Sequence, residues 1–539
     1  MTLPVAIVGA GPVGLTTALG LAHYGVPFVL FEDEDRLSTE TKAGTTLSRS
    51  LEIWRRFGVV ASVLRRSMRV DEIGDIDRQT NQPRQTVELS VLANETRFPF
   101  VINLPQQDME PALAEPVREQ LHLAHRLVRF EQKSDRVVLH LKTPSGETTA
   151  EASYLLGCDG GRSTVREQLG IAAEGKSLPV KYSLVDLEVD LDIANPRDYP
   201  HLAYFSDARE WMVLVRHPHC WRFLFPLPPG KNEPSAEELR DKVLSFIGEV
   251  EHVRVLGKVT YQVHHRVATQ WRGGRVFLMG DAAHLITPMW ALGINTGLLD
   301  SSNLCWRLAW HLRGWADERL LDGYEREQKP VALLGAGEMA ESARRYIGKE
   351  SEGAPDIAAD AWGNACTRAM LGVRLDVDGH GDWSMLKHTR EPPLRPGDRI
   401  PDWPLQSPAG GELRVHDLTA DGFAALYFAD ARRRPEIPDN TSPALRHYLV
   451  SRWDAPFDCG LRERALFDPG GAFARRVGCP GGTLVLVRPD EHIAAIEPIA
   501  PGAAERLYTT VVGRAPPPAM ELAATPPPGA GSSPPSRAG

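Results

Sequence analysis

Val5–Val8 is a short apolar run that ends in glycines. Leu15–Tyr24 repeats its apolar positions at helical spacing, and Val26–Phe31 is a second apolar run. The pattern predicts strand, helix and strand, with Pro12 near the helix start, where its missing N–H leaves no bond unmade. Residues 47–67 and Met109–Gln120 read as amphipathic helices, and 135–156 as a strand pair around Pro144-Ser145-Gly146. Between 180 and 265 the pattern changes to alternation, as in Ser183–Leu191 and Trp211–Val215. Alternation predicts a half-buried, mainly antiparallel sheet. Arg275–Met279 returns to a buried-strand pattern, a long helix is expected from about Asn295 to Leu312, and 324–372 reads as helical. Pro392–Pro404 is a proline-rich linker, and Phe423–Phe428 and Thr483–Val487 are buried-strand candidates beyond it. From Ala515 the chain is mostly Pro, Ala, Gly and Ser, a composition expected to stay disordered.

Composition narrows the class. A chain of 539 residues with 42% hydrophobic content is too long for one ordinary domain. Its net charge of −9, without a cluster of basic and aromatic residues, argues against a nucleic-acid partner. Six scattered cysteines without a C-x-x-C pair suggest a reduced, cytoplasmic protein with no metal site. The N-terminus lacks a signal-peptide pattern, and no apolar run approaches the roughly 20 residues of a membrane span.

Three motifs carry chemistry. Gly9-x-Gly11-Pro12-Val13-Gly14 lies between the first strand and helix. Gly9 permits a tight turn, Gly11 lets a pyrophosphate approach the backbone, and Gly14 lets helix and strand pack closely. Glu32 ends the second strand, where an acid accepts hydrogen bonds from a ribose diol. The set predicts dinucleotide binding without separating FAD from NAD. The second motif is Gly280-Asp281-Ala-Ala-His284 with Pro288 and Leu292-Gly293-Ile294-Asn295. Asp281 is placed to bind a flavin ribityl hydroxyl. The helix start at Gly293 could stabilise negative charge at the pyrimidine edge of a reduced flavin. The third motif, Asp159-Gly160-Gly-Arg-Ser163, reads by itself as a turn and helix cap.

In order and spacing these motifs resemble the class A flavoprotein monooxygenases of the para-hydroxybenzoate hydroxylase and phenol hydroxylase type, over about residues 4–345. The resemblance implies an α/β fold: a Rossmann-type FAD-binding domain (1–180 and 263–345) with an inserted substrate sheet (70–103 and 181–262). A helical connector (346–395) follows. Arg395–Asp402 and Leu486–Asp490 resemble a thioredoxin-like appendix (396–514), here without C-x-x-C and so structural or at a subunit contact, as in a homodimer. It also implies that Lys42, Arg49, Gln106 and Asp159 belong to the FAD site. The resemblance further implies that NADH or NADPH is a transient donor without its own Rossmann fold, and that O2 is activated as a flavin C4a-hydroperoxide to hydroxylate a small aromatic, phenolic substrate.

The chain departs from the family pattern in three places. Lys42 replaces Arg, and Asp33 follows Glu32. Trp290 and Ala291 stand where two glycines are usual. Trp290 either packs against the substrate domain or has a functional place, lining the pocket or limiting flavin movement; we favour the second. His264 and His265 alternate on a strand, so only one can face the pocket as a base; both are candidates. His217 and His219, flanking Pro218, read as surface or structurally satisfied histidines. Two alternatives stay open: Baeyer–Villiger or decarboxylating oxygenation, and a flavoprotein that only binds an aromatic ligand.

Overall fold

The computed structural model describes residues 3–38, 44–191, 199–248, 250–348, 372, 374–377, 393–407, 410–429, 435–452 and 464–518. Lys42 and most of the proline-rich tail lie outside them.

Strand Val5–Val8 is buried along its length and sits between two parallel neighbours, Phe28–Phe31 and Tyr154–Gly157. Val276–Leu278 adds to Tyr154–Gly157 in parallel, and Leu121–His122 to the other edge. The chain therefore leaves Val5–Val8 to one side and later returns on the other. Such a switch point opens a crevice at the carboxyl ends of the strands. Helix Pro12–His23 starts there with Pro12 in its first turn. Helix Leu292–Leu312 packs against it, opening three residues before the expected start.

Some expected elements differ. The helix read over 47–67 is two, Ser48–Arg56 and Val60–Leu64, because Gly58 takes φ +81° between them. The 109–120 helix is Gln106–Ala114 followed by a 3-10 turn over Glu115–Gln120. Within 324–372, helices Arg319–Pro330 and Gly337–Ile347 flank a π-helical turn, Val331–Ala336.

The second layer is an eight-stranded sheet, antiparallel except where Leu202–Ser206 pairs in parallel with Glu72–Asp77. Its two longest strands, Ala173–Glu188 and Arg254–Ala268, pair with each other and cross the boundaries expected at 180 and 263. They join the sheet to the dinucleotide domain. The outer face is covered by a helix that alternation hid, Ala236–Ile247. Ser235 Oγ accepts from Glu238 N–H at 3.1 Å, and Ser235 N–H donates to the Glu238 carboxylate at 2.7 Å. This reciprocal cap starts the helix. Leu239 and Val243, one turn apart, bury against Phe205 and Phe223 of the sheet.

The C-terminal unit is a seven-stranded mixed sheet centred on Phe423–Ala429, parallel to Leu445–Ser451 and antiparallel to Thr483–Val487. It docks through buried charge. The Arg488 Nη1 and Nη2 groups donate to Glu327 at 3.0 and 2.8 Å, and Arg307 donates to the same carboxylate at 2.7 Å. Trp306 Nε1 donates to Asp490 at 3.0 Å. Among the described residues, no helix is long and apolar enough to cross a membrane.

Burial alone would raise the Glu327 carboxyl, but Arg307 and Arg488 outweigh it and hold it down, to about 2. A carboxyl depressed in the folded state stabilises the fold above its unfolded value of about 4.3. That contribution is lost as pH falls through the window toward 2. Glu327→Gln leaves two buried guanidiniums short of a counter-charge. It should cost about 3–5 kcal/mol at neutral pH and flatten part of the acid limb. Denaturant unfolding from neutral pH down to pH 2 measures both.

Candidate functional site

The glycine turn divides its labour. Gly9 has φ +101°, and a Cβ on it would lie 2.3 Å from the Cys158 carbonyl oxygen. One on Gly14 would lie 1.9 Å from the Gly9 carbonyl oxygen. Both positions therefore need glycine for packing within the protein. A Cβ on Gly11 would meet no protein atom within 4 Å. Gly11, Pro12 and Val13 instead line a cavity of about 540 Å³. The first amides of a helix lack intrahelical partners, so this end suits a diphosphate. Glu32 braces the turn: Ala10 N–H donates to it at 2.6 Å and Glu34 N–H at 3.2 Å. Each carboxylate oxygen can accept a further bond, so a ribose diol remains compatible.

The second motif folds onto the first. Val13 is wedged where a side chain on Gly280 or Gly297 would stand, 2.9 and 2.6 Å from such Cβ atoms. Gly280 N–H donates to Asp300, and His284 Nε2 shares the same oxygen, both at 2.8 Å. His284 supports the loop and leaves Asp281 on the cavity. Pro288, Gly293 and Ile294 line the cavity beside it, as does Gln106, which also donates to Glu110 at 2.7 Å.

Several candidates fall elsewhere. Arg49 points away from the cavity, to Glu52 at 3.0 Å, Glu491 at 2.7 Å and the Asp490 carbonyl at 2.8 Å. Its charge is matched by the C-terminal unit. Asp159 accepts from Val165 N–H at 3.0 Å and caps a short helix. Arg166 from that helix donates to the Ala282 and Gly161 carbonyls, tying the third motif to the second. The Asn295 amide is committed to protein. It accepts from Leu47 N–H at 2.9 Å and Ser50 Oγ at 2.6 Å, and donates to the Ala291 carbonyl at 2.7 Å. Leu292 is buried and does not line the cavity.

The candidate bases separate as alternation requires. His264 lines the cavity, with Nδ1 2.8 Å from Ser177 Oγ. His265 faces away, its ring against Gly337. Trp290 is 4% exposed and packs in the core rather than lining the cavity. It and Ala291 have φ of +56° and +57°.

The other half of the cavity is a wall from the inner face of the large sheet. Leu184, Leu202, Val213, Val215, Leu224 and Val259 supply apolar surface. Tyr204, Tyr261, His217 and Arg222 supply polar groups. Their strand neighbours Val185, Ala203, Leu214 and Phe223 pack into the opposite core, under the helix Ala236–Ile247. Sequence reasoning missed His217 and Arg222. Their signal is the alternation Val213-x-Val215-x-His217, readable only with the sheet's facing known.

A family model described as FAD binding domain matches residues 2–334. The chain belongs to the FAD-binding domain family. A 3-(3-hydroxy-phenyl)propionate/3-hydroxycinnamic acid hydroxylase of Escherichia coli O139:H28 (strain E24377A / ETEC) is 30% identical over 368 residues, 65% of this chain and 65% of that protein. The chain thus matches about two thirds of the length of such relatives. The fold resembles aklavinone-11 hydroxylase in complex with FAD and aklavinone, at TM-score 0.78 and 25% identity over 95% of this chain and 99% of that one. It also resembles p-nitrophenol 4-monooxygenase from Pseudomonas putida DLL-E4, at TM-score 0.61 and 26% identity over 69% and 96%. This is the fold of FAD-dependent monooxygenases, and the open face at Gly11 fits the cofactor's diphosphate.

The glycines make separable predictions. Gly11→Leu should keep the melting profile of flavin-free wild type and lose bound FAD, because its side chain enters only the cavity. Gly14→Leu should instead lose folded yield, because its side chain meets backbone. Flavin absorbance per protein and circular-dichroism melting check the pair.

Proposed function

We propose that the protein is a cytoplasmic, FAD-dependent hydroxylase that uses NAD(P)H and O2 on an aromatic, phenolic substrate. One observation carries this reading. A single cavity runs from cofactor-side residues Gly11, Gln106, Asp281 and Gly293 to the aliphatic wall Leu184, Leu224 and Val259. An apolar wall with few polar groups suits a flat aromatic ring. The activities named for the relatives, on hydroxyphenylpropionate, p-nitrophenol and aklavinone, support an aromatic substrate.

Bound and reduced, FAD supplies the electrons that activate O2. The balance is one ring C–H, O2, NAD(P)H and a proton giving a phenol, NAD(P)+ and water. The chain supplies position, charge and dryness. Gly11 and the start of helix Pro12–His23 would hold the diphosphate, and Asp281 and Gln106 the ribityl region. The first amides of helix Leu292–Leu312, at Gly293 and Ile294, would hold negative charge at the pyrimidine edge. The wall of Leu and Val excludes water around the ring.

A screen of NAD(P)H oxidation over phenols, hydroxybenzoates and polyketide-like aromatics, run under isotopically heavy O2 with product mass spectrometry, tests this reading. The expected product gains one heavy oxygen and keeps every carbon. A lactone or loss of CO2 would redirect the reading to Baeyer–Villiger or decarboxylating chemistry. FAD-replete protein with no substrate-stimulated oxidation would leave only aromatic-ligand binding.

A further inference from the structure

His217 is completely buried, yet among the described residues neither ring nitrogen has a hydrogen-bond partner. A buried polar group left unsatisfied costs about 1–3 kcal/mol, so such a group facing a cavity marks a place for a ligand. The ring lines the cavity at the end of the row Val213, Val215, His217. The backbone holds it there: His217 N–H donates to the Cys220 carbonyl at 2.8 Å, closing the hairpin.

Arg222 reaches the same spot. Its Nε and Nη2 donate to Asp186 at 2.8 and 2.9 Å, and the two residues are direct cross-strand partners. This pairing leaves Nη1 without a protein partner among the described residues. A Cβ built on Gly44 would lie 2.8 Å from His217 Nε2 and 3.6 Å from Arg222 Nη1. Both polar ends therefore converge beside Gly44, where only glycine leaves room.

The charge balance says what fits. Burial, reinforced by Arg222 and Arg216, holds His217 well below the ordinary histidine range, so its ring is neutral, with one donor and one acceptor nitrogen. Arg222 is already paired with Asp186 through both carboxylate oxygens. Arg216 lies one residue along, its guanidinium stacked on Trp221 on the other side of the strand. Burial pushes the Cys220 thiol up, to about 12, so it too is neutral. A carboxylate at this end would be a buried charge against an already neutralised arginine. A hydroxyl brings no charge and can both donate and accept.

We propose that His217 and Arg222 bind the polar end of the substrate as a matched acceptor and donor for one ring hydroxyl, and that the pair selects a neutral phenol over a carboxylate at that position. This assignment rests on the aromatic-substrate reading above. It also suits that chemistry, because a hydroxyl donating to His217 enriches its ring in electrons.

The test uses FAD-loaded protein at neutral pH and three probes of one size: 2-naphthol, ionised 2-naphthoate and naphthalene. Binding is followed by perturbation of the flavin absorbance. The wild type should bind 2-naphthol at least about tenfold tighter than 2-naphthoate. His217→Leu should raise the Kd for 2-naphthol about tenfold, as expected for one lost hydrogen bond, and move that for naphthalene less than about twofold. His217→Gln, which keeps a donor and an acceptor, should recover most of the loss. Equal or tighter 2-naphthoate binding by the wild type overturns the proposal without any variant. So does failure to bind 2-naphthol, or an equal loss for naphthalene in His217→Leu. Selective 2-naphthol binding with no NAD(P)H oxidation by any phenol would instead sink the hydroxylase reading and leave the assignment standing.

Discussion

The pairing of Ala173–Glu188 with Arg254–Ala268 is the constraint on which the cavity depends. Ala173–Glu188 runs out from the dinucleotide domain and Arg254–Ala268 runs back to it, so their register fixes which side chains meet the cofactor site. Side chains alternate across a strand, and a one-residue slip exchanges the two faces. In the observed register Val259, Leu184, Leu224, Val213 and Tyr204 form one row across five strands. Asp186, Arg222, Val215 and Leu202 form the next. A slip would place Val185 and Phe223 in the cavity and bury Arg222 in an apolar core. The Asp186–Arg222 pair resists this, because its two charges satisfy each other only in this register. The same contact that leaves one arginine nitrogen available also keeps the wall apolar.

The C-terminal unit acts on this arrangement from behind. Arg49 and Arg56 both reach Glu491, at 2.7 and 2.8 Å, from a helix adjoining the segment that carries Gly44 and Thr45. Arg399 Nε donates to Glu52 of that helix at 2.9 Å. Asn295 ties the start of the same helix to the loop at Ala291. The polar interface therefore positions one side of the cavity although none of its charges enters it. Buried ion pairs give little net stability over apolar contacts, but breaking one is costly. A shifted docking of the unit would leave these buried charges without their partners.

What could be read from the sequence followed how local each feature is. The glycine turn and Glu32 lie within one strand–helix–strand unit, and their spacing encodes their geometry. Ser235 and Glu238 with Leu239 and Val243 also encode a helix locally. The alternation on either side of residues 235–247 hides that signal. The sheet's facing is not local. A register shift between Ser177 and Lys181 breaks the count along its longest strand, and the partner that turns Arg222 inward is 36 residues away. Arg49 shows the same limit at longer range. The family resemblance places it beside the cofactor, whereas the acid that claims it lies 442 residues on.

The loop at Trp290 shows how a local rule can be broken and still hold the backbone. Trp290 and Ala291 both adopt the left-handed conformation that glycines would take freely. This costs roughly 1–2 kcal/mol for each. Two features offset it. The indole is almost wholly buried, which contributes on the order of 2–3 kcal/mol. The Ala291 carbonyl accepts from Asn295 at 2.7 Å. Trp290 and Ala291 thus hold φ values that glycine reaches at lower cost. Trp290 is buried behind the turn whose Ala291, Gly293 and Ile294 line the cavity, and is not itself a lining surface.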